Sequence, residues 1–167
     1  MEVTVEQIRT LREQTGAGIM DCKKALEASE GNLNKAADAL RLKGFAQVAK
    51  RADLATSQGL IEAYIHTGGR VGGIVSLGCE TDFVARTPEF KELAHDIAMQ
   101  VAAMDPAYLD QSEMDAGESR PPGQVSLLQQ PFIKDGSRSV GEVVRELAAK
   151  VGENIRVQRF VRLALGE

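Results

Sequence analysis

Tryptophan is absent from this chain, and aromatic residues make up only 4% of its 167 positions. No platform of rings is available on which nucleic-acid bases could stack. A basic excess is missing as well: 20 Lys and Arg stand against 24 Asp and Glu, a formal net charge of −4. Proteins that live on a phosphate backbone show a basic patch or stripe. The nearest approach to one is Lys43, Lys50 and Arg51, and Asp53 stands two positions after Arg51, so direct nucleic-acid binding is disfavoured. Long apolar runs are also lacking, and nothing approaches the ~20 residues that span a bilayer. The first ten residues carry Glu2 and Glu6 without a basic start and an apolar stretch. They read as neither a secretory signal nor a transit peptide. The two cysteines, Cys22 and Cys79, have no metal-ligand spacing and sit among apolar neighbours. They read as reduced core residues of a cytoplasmic protein.

Motifs of chemistry are missing too. There is no G-x-x-x-x-G-K-[ST] phosphate loop. The cluster Gly68, Gly69, Gly72 and Gly73 lies in a hairpin pattern, with no helix N-terminus to receive a phosphate. His66 and His95 have no sequence neighbours that fit a metal or a triad, and read as surface or rim residues. Cys79 stands beside Glu80 and Asp82, whose negative charge raises a thiol pKa, the wrong direction for a nucleophile. No metal, cofactor or enzymatic step is expected.

What is present is a clear switch of period. Residues 1–44 read as three short helices. Thr4 and Gln7 make a capping box, and Val3 with Ile8 makes the matching hydrophobic staple. Thr15-Gly16-Ala17-Gly18 breaks the first helix. The second runs from about Ile19 to Ser29 and stops at Gly31. Asn32 caps the third, where Leu33, Ala36, Ala37 and Leu40 share a face. Gly44 is expected to end it. Residues 45–58 then read as a connecting helix and linker.

From residue 59 to 167 the pattern predicts an α+β domain. Ile61, Ala63 and Ile65 alternate with Glu62, Tyr64 and His66, and Val71, Gly73, Val75, Leu77 and Cys79 alternate likewise. Thr67-Gly68-Gly69-Arg70 between them predicts a β-hairpin turn. Thr87 and Pro88 open a helix with Phe90, Leu93, Ala94, Ile97, Ala98 and Val101 on one face, able to cover one face of the hairpin. Residues 110–126 are polar and Pro-containing, a loop. Leu127 to Ile133 is expected as a strand, Ser139 with Glu142 as a second capping box, and Ile155 to Leu165 as a last strand with Phe160 out of phase.

One connecting segment stands out: Cys79-Glu80-Thr81-Asp82-Phe83-Val84-Ala85-Arg86. From pattern alone the plainer reading is a turn capped by Thr81 or Asp82 with Phe83 packed inward, because a lone Phe is usually core. The sharper reading presents an acid and an aromatic together on the tip of a rigid scaffold, where they could enter a partner.

At this segment the chain resembles the elongation factor Ts family. Leu11-Arg12 and Thr15 through Leu26 resemble its N-terminal three-helix, ubiquitin-associated-like module, and Cys79 through Ala85 resembles its best-known signature. Gln130 through Asp135, Gly152-Glu153-Asn154-Ile155 and Arg159-Phe160 resemble its C-terminal core. The resemblance implies a guanine nucleotide exchange factor for the GTPase elongation factor Tu. Thr81, Asp82, Phe83 and Val84 would disturb the partner's magnesium site, with Asp82 and Phe83 as the intruding pair. Arg12, Ile19, Met20 and Lys23 would dock the N-terminal module, and a homodimer is among the assemblies it allows. Family members usually carry a longer stretch where this chain has only Leu109 through Ser126.

Such a mechanism needs no covalent chemistry. Speeding release by ~10⁴-fold takes about 5.5 kcal/mol of differential interaction. A second class of function stands beside it: an adaptor that binds a protein without changing nucleotide affinity. A third, an enzyme using Cys79, would need a thiol reactive at neutral pH.

Overall fold

The computed structural model describes residues 3–167. The chain divides into two compact units, Met1–Asp53 with Ala148–Glu153, and Leu54–Leu147 with Asn154–Glu167. Among the described residues the architecture is α+β, with seven α-helices, a three-stranded antiparallel sheet and a two-stranded one.

The first unit opens with α1 (Val5–Thr15), α2 (Ile19–Ala28) and α3 (Leu33–Ala49), each in contact with the other two. Thr4 and Gln7 close the capping box reciprocally, and Gly16 ends α1 in the left-handed conformation at φ 69°. Asn32 Oδ1 accepts from the Lys35 amide to start α3. Leu11, Cys22, Ala25, Leu26 and Ala36 form the core, with Val3, Ile8, Leu33 and Leu40 packed around it. So many alanines let the helices approach but bury little area, so the core is thin.

The expected stop at Gly44 does not occur. Helix α3 runs on to Ala49, and Phe45 to Ala49 are its last turns, not a separate connecting helix. Gly44 is buried, and a Cβ there would lie 2.8 Å from the Cβ of Ala149. The glycine answers a close approach by α7 (Val140–Val151), not a need to terminate.

The second unit is built on β1 (Gln58–Ile65) and β2 (Val71–Cys79), joined by the Thr67–Arg70 turn, with β5 (Ile155–Ala164) on the other side of β2. After β2 come α4 (Asp82–Ala85) and α5 (Pro88–Met104). Thr87 caps α5 with Pro88 in its first turn, and Phe90, Leu93, Ala94, Ile97, Ala98 and Val101 are all buried. The helix crosses β2 at Gly73, where any Cβ would collide with the Ala98 carbonyl. That contact selects the face α5 covers: Leu60, Glu62 and Tyr64 of β1 are half-buried on it, and Val75 and Leu77 of β2 are fully buried. The alternate face carries Ile61, Ile65, Ile74, Val161 and Leu163, all exposed.

Strand β5 loses its simple alternation at a bulge. Leu77 pairs with Val157 and Ser76 with Arg159, which leaves Gln158 unpaired between them. The extra residue resets the phase, so Ile155 and Val157 before it and Phe160 after it all turn away from solvent. Phe160 is out of phase only against a strand without a bulge.

The expected strand from Leu127 to Ile133 is much shorter. Leu127–Gln129 is a 3₁₀ turn, and only β3 (Pro131–Phe132) pairs, with β4 (Asp135–Ser139). The amides of Leu127 and Leu128 are already taken by the carbonyls of Tyr108 and Leu109, which leaves no ladder for them to join. Residues 110–126 are polar as expected but hold a 3₁₀ turn at Gln111–Glu113 and the short α6 (Pro122–Val125). Ser139 and Glu142 close the second capping box at the start of α7.

Candidate functional site: two exposed helix starts

The Cys79–Arg86 segment leaves the buried end of β2 and makes a single turn of helix. Thr81 Oγ1 accepts from the Val84 amide at 3.4 Å, and the Cys79 thiol donates to the Thr81 carbonyl at 3.1 Å. On the far side the Thr87 hydroxyl donates to the Val84 carbonyl at 2.8 Å and accepts from the Phe90 amide. One side chain thus closes α4 and opens α5. Successive helical residues point about 100° apart, so when Val84 and Ala85 turn inward their predecessor turns out. Val84 is 9% exposed and Phe83 is 77% exposed.

The inward Phe83 favoured by pattern alone is therefore corrected: the ring stands in solvent. A helix of four residues has one buried side, and Val84 and Ala85 fill it against β1, β2 and α5. Asp82 pairs with Arg86 at 2.8 Å, both side chains being well exposed. Such a solvated pair is weak, which leaves the carboxylate free to exchange its partner. Of the segment, Asp82 and Phe83 face outward, while Thr81 and Val84 shape the turn.

In the first unit, Ile19 and Met20 open α2. Gly18 is the N-cap and supplies no side-chain hydrogen bond. Ile19 and Met20 are 55% and 62% exposed. Lys23, one turn on from both, is exposed and lies 3.8 Å from Glu27. Arg12 is exposed in the last turn of α1. Between Met20 and Lys23, the Asp21 carboxylate receives Lys43 Nζ of α3 at 2.7 Å. The hydrogen bond and charge of Lys43 hold the Asp21 pKa below its ordinary 3.8.

His66 and His95 are both exposed, with Tyr64 Oη 3.0 Å from His66 Nδ1 and Glu62 Oε1 3.2 Å from His95 Nδ1. Both cysteines are buried. Among the described residues no three His, Cys, Asp or Glu side chains gather as a metal site, and no helix is long and apolar enough to cross a membrane. An open cleft of about 1120 Å³ in the second unit is lined by Leu109, Asp110, Leu128, Arg145, Arg156 and Gln158, among others. None of the eight expected site residues lines it.

Sequence reasoning missed the polar ties inside the second unit. Gln100, fully buried on α5, donates to the Gln130 side chain and to the Pro131 carbonyl, and accepts from the Ile133 amide at 2.7 Å. Lys134 reaches the buried Asp96 at 2.7 Å. These contacts give the Gln130-Pro131-Phe132-Ile133-Lys134 run its physical role: it fastens the β3–β4 hairpin to α5. A glutamine among apolar helix positions was the available signal, since a buried amide must find partners.

Residues 5–122 match the family model described as Elongation factor TS. An elongation factor Ts from Syntrophomonas wolfei is 44% identical over 195 aligned residues, covering 99% of this chain and 91% of that protein. Those from Thermotoga neapolitana and Carboxydothermus hydrogenoformans are 44% and 43% identical, covering 100% and 99% of this chain and 99% and 90% of theirs. The aligned length exceeds the 167 residues here, so the relatives hold residues without a counterpart in this chain. The chain belongs to the elongation factor Ts family of translation elongation factors.

Proposed function

We propose that this protein releases GDP from elongation factor Tu by driving Asp82 and Phe83, on the Thr81–Val84 turn, against the partner's magnesium and phosphate site. Family membership supports the exchange role toward that GTPase. The observation that carries the finer reading is the Phe83 ring, 77% exposed on a turn whose neighbours are buried or hydrogen-bonded. A free chain gains nothing by holding a phenyl ring in water; burying it in a partner is worth about 1.5–3 kcal/mol. The fixed turn has little conformational entropy left to lose on docking. Arg12, Ile19, Met20 and Lys23 supply a separate contact for the GTPase. The factor acts by binding, in the cytoplasm, and breaks no covalent bond. The test is the release rate of fluorescent GDP from elongation factor Tu at fixed magnesium. The protein should accelerate release strongly, and Asp82→Ala and Phe83→Ala should each lose that acceleration while binding. Binding without acceleration by the unaltered protein would leave the adaptor.

The bare face of the three-stranded sheet supports a homodimer. Ile61, Ile65, Ile74, Val161 and Leu163 run across all three strands and are exposed. A face of this kind marks an interface, and a two-fold axis lets it cover its own copy. Sedimentation should show a dimer that Ile61→Asp converts to monomer; a monomeric unaltered protein would contradict it.

A further inference from the structure

The last rung of the β2–β5 ladder pairs Cys79 with Ile155. The next would pair Glu80 with Asn154, but the backbone has to leave the sheet there, because Thr81 is already the cap of α4. The Asn154 amide is nevertheless satisfied: Glu80 Oε1 accepts it at 2.6 Å. Asn154 is buried, at 4% exposure, and its Nδ2 donates to the Leu54 carbonyl at 3.0 Å. A buried amide left without an acceptor is costly, so the position is constrained. The side chain of Glu80 stands in for a rung that its own main chain has abandoned. It closes the sheet and at the same point sets the direction in which the chain departs toward Asp82 and Phe83.

We infer that Glu80 is a positioning residue for the exchange turn, acting through the reach of its side-chain oxygen to the Asn154 amide. The inference rests on the reading that Asp82 and Phe83 act on the GTPase. Glu80 is two residues from Asp82, so a small rotation where the strand ends is carried directly into the placement of the ring. Binding through the first unit does not pass through this point. Loss of the tie should therefore lower the maximal rate of stimulated GDP release and spare the concentration needed for half of it.

Two conservative variants separate reach from charge. Glu80→Gln keeps an oxygen at the same distance and removes the charge; Glu80→Asp keeps the charge and shortens the arm by one methylene. With the whole 167-residue chain and elongation factor Tu loaded with fluorescent GDP, Glu80→Gln should hold the maximal rate within about twofold, while Glu80→Asp lowers it about tenfold. The half-saturating concentration should stay within about twofold for both. Hydrogen exchange of the free proteins supplies a second reading: the Asn154 amide should lose protection in Glu80→Asp and keep it in Glu80→Gln. An active Asp variant with an inactive Gln variant would mean that the charge of Glu80 matters and the reach to Asn154 does not, and would overturn this positioning role. Two fully active variants would overturn it as well. Phe83→Ala, measured alongside, tells the two levels apart. If Phe83→Ala slows release and Glu80→Asp does not, positioning alone fails. If Phe83→Ala leaves the maximal rate unchanged, the reading beneath fails and takes the positioning role with it.

Discussion

Phe83 and Met20 both occupy the second residue of a helix, and both stand exposed, yet the two turns are held in different ways. Helix α4 is only four residues long, too short to persist by its own hydrogen bonds. It is held by side chains: the Thr81 hydroxyl at its start, the Cys79 thiol behind, and the Thr87 hydroxyl that joins it to α5. Helix α2 is ten residues long and has a buried face of Cys22, Ala25 and Leu26, while its N-cap, Gly18, contributes no side-chain bond. The first turn is a fixed object on a braced edge. The second is the end of an ordinary amphipathic helix on a thin core. Under the proposed function, this difference suits a division of labour: a ring that must arrive at one place, and a docking surface that only has to stick.

That division can be broken at specific residues. Thr87→Ala removes the hydroxyl shared by α4 and α5, and a lost cap costs about 1 kcal/mol, up to about 2. It should lower the thermal midpoint and the maximal rate of GDP release together. A fall in stability with no loss of rate would show that the brace serves the fold alone. Met20→Ala trims an exposed side chain. It should raise the concentration needed for half-maximal release about fivefold, on the scale of ~1 kcal/mol for a contact residue outside the hot spot, and leave the maximal rate alone. A reduced maximal rate would erase the distinction between the two turns. The smallest effect belongs to Gly18→Ser. At φ −64° the position accepts a side chain, and the nearest atom to a Cβ there is Asp21 Oδ2 at 3.9 Å. A serine cap in place of glycine adds only about a few tenths of a kcal/mol, read as a slightly higher melting midpoint with unchanged exchange. A destabilised variant would mean that the glycine meets a constraint the geometry does not show.

The two turns also differ in how far they could be read from sequence. The helix caps at Thr4, Asn32, Thr87 and Ser139 were legible, because a cap is a local bond between residues three apart. So was the apolar stripe of α5, long enough to show its period. The outward Phe83 was not, because a single turn holds too few residues for periodicity to assign a side. Gly44 was misread for the opposite reason: its constraint is Ala149, far along the chain, and no local pattern carries that information. The same holds for Gln100 with Gln130 and for Glu80 with Asn154, where a polar residue answers a partner brought near only by the fold. The candidate site residues came from the family resemblance. What the structure adds is which of them face outward and what holds the rest.

The most direct test is the coupling between GDP and this protein on elongation factor Tu. Exchange by binding requires that each ligand weaken the other to the same degree. Calorimetric titration of the protein into nucleotide-free and into GDP-bound elongation factor Tu gives that ratio of affinities. The account predicts a large ratio for the unaltered protein, a ratio reduced about 30-fold or more by Phe83→Ala, the size of a ~2 kcal/mol hot spot, and an unchanged ratio for Met20→Ala. A Phe83→Ala protein that binds both forms more weakly by the same factor would contradict the account, since the ring would then be one more docking contact and the release of GDP would be driven from elsewhere.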